Sequence, residues 1–104
     1  MAILKINFLC PTEHFAEMVK LAPEITPKFP PPDHVTVRGP YFKSTFEGMN
    51  WFSISEVEPS KMYEERTRLA AIGMALHGIP GLKWNIEYWT EQADAQKRIE
   101  MFGS

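Results

Sequence analysis

The stretch that decides the fold runs from Met49 to Trp89 and contains three consecutive elements. The first, Met49–Val57 (MNWFSISEV), alternates in polarity. The second, Pro59–His77 (PSKMYEERTRLAAIGMALH), has apolar residues at three- and four-residue steps. The third, Leu82–Trp89 (LKWNIEYW), alternates again. Alternation is typical of a strand, and a period near 3.6 is typical of an amphipathic helix. This part of the chain is therefore predicted to form a strand, a helix and a strand.

The first half of the chain repeats the pattern. Ile3–Cys10 alternates, Thr12–Ala22 carries one apolar stripe, and Val35–Ser44 leads through a short loop ending at Gly48 into the next strand. The resulting order, βαββαβ, is the split-βαβ or ferredoxin-like plan. The predicted fold class is therefore α+β, with an antiparallel sheet, both helices on one face, and a short C-terminal helix over residues 91–102.

Local signals refine these boundaries. Thr12 is predicted to cap the first helix, and Pro23 is predicted to end it. The proline-rich segment that follows, residues 22–34, reads as a stiff loop within the domain. Gly39-Pro40 predicts a bulge or an edge position in the second strand, because proline lacks the ladder donor.

Composition limits the class of protein. With 104 residues and 44% hydrophobic content, the chain is predicted to be one domain over residues 1–104. The net charge of -2, with both signs interspersed, argues against nucleic-acid binding. The longest apolar run, Leu69–Leu76, is shorter than the roughly 18 residues of a membrane helix, and Met1–Cys10 does not resemble a signal peptide. We therefore expect a cytoplasmic protein without nucleic-acid or membrane partners.

Motifs for metals and cofactors are missing from the sequence. The single cysteine, Cys10, allows no internal disulfide, and no two histidines have metal-ligand spacing. Cys10 is expected to be a buried inert thiol, although a helix N-terminus just beyond it could lower its pKa. No Gly-rich phosphate loop follows a strand, so nucleotide chemistry is not indicated. The cofactor, if there is one, stays unknown.

The two faces of the predicted sheet differ in composition. The even positions of the first strand are assigned to the helix-covered core: Leu4, Ile6, Phe8 and Cys10. The opposite face is assigned an apolar patch made of Ile3, Leu9, Met49, Trp51, Val57 and Trp89. Because soluble monomers rarely expose so large a patch, we expect a homodimer that stacks sheet on sheet. Polar residues on that face, Asn7 among them, belong either to a small-molecule pocket or to a wet rim.

The order of elements from Ala2 to Trp89 resembles that of the dimeric α+β barrel superfamily, in which small ferredoxin-like domains pair through their sheets. The segment Arg38–Tyr41 and a strand with Glu56 near its end, ahead of the second helix, are similar to the pattern of small uncharacterised members. The chain has a weaker similarity to antibiotic-biosynthesis-type and haem-degrading monooxygenases. The resemblance implies a sheet-to-sheet homodimer.

Candidate catalytic residues follow partly from this resemblance. Haem-degrading members use an asparagine on the first strand, a tryptophan, and an iron-binding histidine on the second helix, and Asn7 and His77 match by element. Trp51 departs from the pattern, because the family's tryptophan lies on the second helix. His77 also stands at a helix end, where an imidazolium simply complements the helix dipole.

Two further predictions concern charged side chains. Glu56 is assigned to the core-facing side with Phe52 and Ile54, where a buried carboxylate is a candidate general base; a helix-capping or solvated role is the alternative. The charged residues of the second helix are assigned to solvent: Lys61, Glu64, Glu65, Arg66 and Arg68.

The sequence leaves three functions open. The first is binding of a small apolar or aromatic ligand, in a pocket between sheet and helices or within the dimer, with Tyr41, His77 and Trp89 as candidate contacts. The second is a cofactor-light monooxygenase or isomerase in which Asn7, Trp51, Glu56 or Tyr41 polarises an aromatic substrate. The third is a structural module whose partner is another protein. Whether the chain is an enzyme is left undecided.

Overall fold

The computed structural model describes residues 1–90; the predicted C-terminal helix lies outside the described residues. The elements, in chain order, are β1 (Ala2–Cys10), α1 (Phe15–Ile25), β2 (Thr36–Thr45), β3 (Gly48–Val57), α2 (Met62–Leu76) and β4 (Lys83–Thr90). Short 3₁₀ turns precede α1 and α2, and another follows α1. The fold is α+β, as the sequence predicts. Within the described residues, no helix is long and apolar enough to cross a membrane.

The strands form one antiparallel sheet in the order β2-β3-β1-β4. The central strand β1 pairs with β3 on one side and with β4 on the other, and β2 pairs only with β3. Alternate residues of β1 are buried, and they form the main core with Met18 of α1 and with Leu69 and Leu76 of α2. One face of the sheet is therefore covered by the helices; the other is called here the open face.

Register assigns the residues of β3 to faces opposite to those predicted. Phe8 is paired with Trp51 and Asn7 with Phe52, so Trp51 points to the helices and Phe52 to the open face. Met49 and Val57 follow Trp51, whereas Ile54 and Glu56 follow Phe52. Both faces of β3 carry large apolar side chains, so alternation alone could not choose between them.

The predicted irregularity in β2 is confirmed. β2 is an edge strand, and its register with β3 shifts between Arg38 and Tyr41, around a cis Gly39-Pro40 peptide. At the start of β3, Gly48 has φ of 144°, and a Cβ there would lie 2.1 Å from the carbonyl oxygen of Cys10. A side chain at this position would therefore push the β2–β3 turn away from the end of β1.

The first helix differs from its prediction at both ends. Pro23 lies inside α1, which continues to Ile25, because a proline removes one backbone donor without preventing the last turn from packing. Thr12 makes no capping hydrogen bond and belongs to a 3₁₀ turn, while His14 occupies the N-cap position of α1. Along the predicted apolar stripe, Met18 is buried but Val19 is exposed.

The solvated face assigned to α2 contains one buried exception. Glu65 is 1% exposed, and Arg68 holds both of its oxygens in a two-pronged ion pair, with Nε to Oε1 at 2.7 Å and Nη2 to Oε2 at 2.6 Å. Glu65 lies three residues after Met62 and four before Leu69, so it shares the apolar stripe of the helix. Its position therefore buries it, and Arg68 balances its charge.

Candidate functional site

An enclosed and mainly apolar space lies between the sheet and the helices. It is a cavity of about 300 Å³, referred to below as the helix-side cavity. Its walls come from β2, β3, both helices and the proline-rich loop, and they include Met18, Phe29, Val37, Phe42, Trp51 and Ile72. The cavity exists because β2 projects past the helices: Val37 is 39% and Phe42 56% exposed although both point to the helix side. The sheet is thus wider than the helix layer that covers it.

Arg68 supplies the charged group in this wall, which also contains the hydroxyl-bearing residues Thr26 and Ser53. Besides holding Glu65, it donates from Nη1 to the backbone oxygen of Phe29 at 3.0 Å, which fixes the proline-rich loop against α2. A guanidinium has five N–H donors, and these three bonds use three of them. Because the Glu65 carboxylate already balances the charge, the Arg68 edge offers hydrogen bonds without a net local charge.

Trp51 forms part of the floor of the helix-side cavity. Its ring stacks on Phe8, with centroids 4.9 Å apart and planes 9° from parallel, and it lies 5.9 Å from the ring of Phe42. Trp51 is only 8% exposed, so its predicted position on the open face is wrong. Stacking of this kind holds the three rings as one aromatic row along the sheet side of the cavity.

The open face is organised in four cross-strand rows, each containing one residue from β2, β3, β1 and β4 in that order. The first row is Thr36, Glu56, Ile3 and Trp89, and the second is Arg38, Ile54, Lys5 and Glu87. The third row is Tyr41, Phe52, Asn7 and Asn85, and the fourth is Lys43, Asn50, Leu9 and Lys83. Apolar and polar side chains are therefore interspersed across the whole face.

A hollow of about 340 Å³ occupies the first three rows of the open face. It is lined by Ile3, Lys5, Phe52, Ile54 and Trp89. The ammonium of Lys5 lies 4.4 Å from the ring centroid of Phe52, a cation–π contact, and 4.0 Å from a carboxylate oxygen of Glu87. The hollow is apolar at its floor and cationic at one side.

Glu56 was predicted to face the core, but it does not. It belongs to the first row of the open face, where its Oε1 lies 3.4 Å from Nη2 of Arg38. The prediction failed because it used the wrong face of β3. A carboxylate held by an exposed arginine has no buried environment that would make it a strong general base.

The three residues compared with haem-degrading enzymes are not brought together. Asn7 lies on the open face, where its amide donates to Oδ1 of Asn85 at 3.1 Å, and Trp51 points to the opposite face. Asn7 and Trp51 do both border one small space of about 150 Å³, from which His77 is absent. His77 is the exposed C-cap residue of α2, and its N–H bonds the carbonyl oxygen of Met74.

The other two candidate contacts both lie on the open face. Tyr41 is 52% exposed and packs at a tilt against Phe52, with centroids 5.3 Å apart. Trp89 is 54% exposed, and its indole N–H donates to Glu87 at 3.1 Å. The six candidate residues are thus distributed over three places, with Asn7, Glu56, Tyr41 and Trp89 on the open face, Trp51 in the helix-side cavity, and His77 at a helix end.

Two buried polar groups lie outside these surfaces. Burial, and secondarily the charge of Glu17, raise the pKa of the Cys10 thiol, so the helix N-terminus does not lower it. The hydroxyl of Ser55 is buried without a hydrogen-bond partner. Among residues 1–90, no three His, Cys, Asp or Glu side chains group together as metal ligands would.

Sequence reasoning did not find the helix-side cavity's polar wall, because it assigned Arg68 and Glu65 to solvent. The available signal was the spacing of Glu65 within the apolar stripe of α2, three residues after Met62 and four before Leu69. A carboxylate on such a stripe needs a buried partner, and the arginine one turn later is the natural one.

Comparison with known proteins identifies the fold without identifying a family. No protein-family model and no curated protein matches the chain. The de novo designed protein Foldit4 superposes with a TM-score of 0.57 at 10% sequence identity, over 88% of this chain and 98% of that one. The aminopeptidase PepT from Bacillus cereus ATCC 10987 superposes with a TM-score of 0.52 at 13% identity, over 98% of this chain but 35% of its own. A designed protein and part of a peptidase have only a fold in common with this chain: a four-stranded antiparallel sheet and two helices.

Proposed function

We propose that this chain is a ferredoxin-like domain of the dimeric α+β barrel type, which binds a small apolar or aromatic molecule in the helix-side cavity and pairs with a second copy through its open face. The observation that carries the ligand proposal is the cavity itself, since about 300 Å³ of mainly apolar space has Arg68 among its lining residues. That volume lies at the lower end of the range of small-molecule pockets.

The chemistry of the walls defines the ligand class. The aromatic row of Phe42, Trp51 and Phe8 suits an apolar or aromatic ligand, and the remaining walls are mainly aliphatic or aromatic. The remaining N–H groups of Arg68 suit one hydrogen-bond acceptor. Because the Glu65 carboxylate would repel an anion, a neutral carbonyl or ether fits better than a carboxylate. The proposed ligand is therefore a neutral aromatic compound with one acceptor.

Support for the pairing proposal comes from the open face. Its hollow of about 340 Å³ and the half-exposed rings of Tyr41 and Trp89 form an apolar surface whose exposure to water is unfavourable in free energy. A second copy would bury this surface without needing another kind of protein. Pairing is independent of the ligand proposal, since the two surfaces are on opposite sides of the sheet.

The enzyme alternative has less support than ligand binding. It needs Asn7, Trp51, Glu56 or Tyr41 beside an aromatic substrate, but the first, third and fourth of these lie on the open face and only Trp51 lines the helix-side cavity. The structural-module alternative makes a different prediction, because it expects no saturable small-molecule site.

A fluorescent ketone tests the ligand proposal. We suggest 6-propionyl-2-(dimethylamino)naphthalene, a neutral aromatic molecule with one carbonyl acceptor, whose emission moves to the blue in apolar surroundings. The full chain is expected to give a saturable blue shift. Val37→Trp, which places an indole in the cavity from the β2 wall, is expected to weaken binding by about tenfold or more, equivalent to about 1.4 kcal/mol.

Val19→Trp is the matched control. Val19 is exposed on α1 and does not line the cavity, so this variant adds the same ring away from the site and should bind like the original protein. Non-saturable emission, or an equal loss of affinity in both variants, would remove the support for the helix-side cavity as a ligand site.

A further inference from the structure

The four rows of the open face have a directional pattern of charge and apolarity. Both lysines of the fourth row, Lys43 and Lys83, lie at the end of the sheet that carries the β2–β3 turn. Glu56 and the exposed ring of Trp89 lie in the first row, at the other end. A second copy could meet this face in two aligned orientations, and the pattern distinguishes them.

We propose that two copies pair about an axis that runs across the strands, between the second and third rows, so that the first row of each copy meets the fourth row of the other; this rests on the pairing proposed above. Each strand then lies over its own counterpart, pointing the opposite way. Such an interface is isologous, because every contact occurs twice.

The apolar contacts favour this orientation. Ile54 of the second row meets Phe52 of the third, and Ile3 of the first row meets Leu9 of the fourth. The Ile54–Phe52 contacts lie nearest the axis. Stacked sheets usually cross at about 30°, and this rotation shifts facing residues relative to each other least when they are close to the axis. The hollow lined by Ile54 and Phe52 is thereby closed by the same residues of the second copy.

The charged contacts also match. Lys83 meets the ring of Trp89, and Arg38 meets the ring of Tyr41, which gives two kinds of cation–π contact. The carboxylate of Glu87 meets the amide of Asn85, and no lysine or arginine is placed opposite another cation.

The other orientation, about an axis parallel to the strands, brings each row onto itself. It places Lys43 opposite Lys83 twice, and Ile54 opposite Lys5. Its one favourable charge contact joins Arg38 to Glu87, but Arg38 already lies 3.4 Å from Glu56 and Glu87 already lies 4.0 Å from Lys5. Like charges facing each other across an interface disfavour this arrangement.

The area of the open face is sufficient for a stable pair. Four strands about 4.8 Å apart and four rows about 7 Å apart cover roughly 500 Å² in projection. The accessible area of a face rough with side chains exceeds its projection, which brings it near the roughly 800 Å² per partner of a standard interface.

A spin label on the β2–β3 turn measures the orientation directly. Phe46 is fully exposed at that turn and lies outside the four rows, so Phe46→Cys carries a nitroxide without touching the interface. Cys10 is buried and should not react. Pulsed dipolar spectroscopy on the full chain is expected to give a separation between copies of about 40 Å, because the two turns lie at opposite ends of the pair.

Each alternative outcome overturns the proposal in a distinguishable way. A separation below about 20 Å would mean that both turns lie at the same end, so the orientation is wrong while the pairing stands. A particle that sediments as a monomer and shows no dipolar coupling would overturn the orientation and the pairing together. Dilution with unlabelled chain is the control, since it must remove any coupling that arises between copies.

Discussion

Cys10 ends β1 with its side chain completely buried, and burial determines its chemistry. The raised pKa means that the folded protein holds the thiol proton more tightly than the unfolded chain does. Below the ordinary thiol value of 9.0 both states keep the proton, so this group contributes no pH dependence. Above that value the unfolded chain ionises first, and the free energy of unfolding should fall as the pH rises.

Urea unfolding at about pH 8 and about pH 10 measures this decrease, since the window brackets the ordinary thiol pKa. Lysines and tyrosines titrate in the same window, so the relevant quantity is the difference between the original protein and Cys10→Ala. The variant is expected to lose stability overall but to show a smaller decrease with pH. An equal decrease in both proteins would contradict the assigned role of burial.

Residue-scale prediction from the sequence succeeded where only one face of a strand is apolar. On β1 the odd positions include Lys5 and Asn7, so the even positions were identified correctly as the core. On β3 both faces are apolar, and Trp51 and Glu56 were assigned to the wrong ones. Only the register against β1 decides the faces of β3, and register depends on partners distant in sequence.

At the scale of elements, α2 approaches the sheet closely because one turn has no side chain. A Cβ at Gly73 would lie 2.5 Å from the indole of Trp84 on β4. Alanine favours a helix over glycine by about 1 kcal/mol, but overpacking costs about 1–3 kcal/mol. Gly73→Ala is therefore expected to reduce the free energy of unfolding by up to about 2 kcal/mol, as measured by urea denaturation.

Gly78→Ala is the matched control, because a Cβ at Gly78 meets nothing within 4 Å. It should leave the free energy of unfolding within about 0.5 kcal/mol of the original. If Gly73→Ala were instead stabilising, helix propensity would outweigh the contact, and α2 would have room to move away from Trp84.

Element type was easier to predict from the sequence than element ends or buried charge. Within residues 1–90, hydrophobic periodicity identified the four strands and the two α-helices, because each element buries one face and its apolar residues therefore recur at a fixed spacing. Pro23 did not end α1, since tertiary packing of Ile25 continued the helix past it. Glu65 and Arg68 were assigned to solvent although Glu65 lies on the apolar stripe of α2, and the contact of Arg68 with the proline-rich loop has no sequence signal.

At the scale of the whole molecule, the two faces of the sheet should respond independently to substitution. The helix side holds the main core and the cavity, whereas the open face holds side chains whose burial depends on a partner. A change that disrupts pairing should therefore leave the helix-side core folded. Such a change needs a side chain that the single copy tolerates and the pair does not.

Ile54→Glu meets this requirement. In the single copy the new carboxylate would lie between Arg38 and Lys5 in its row, so it has cations to pair with. In the pair it would be buried against Phe52 of the second copy, where removing a carboxylate from water is costly even with Arg38 and Lys5 beside it. The original protein is expected to sediment as a dimer with a melting temperature that rises with protein concentration. Ile54→Glu is expected to sediment as a folded monomer whose melting temperature does not depend on concentration.

The matched control is Val19→Glu, on the exposed side of α1, which should remain a dimer. A monomer in the original protein, or a dimer in Ile54→Glu, would show that the open face is not where copies meet.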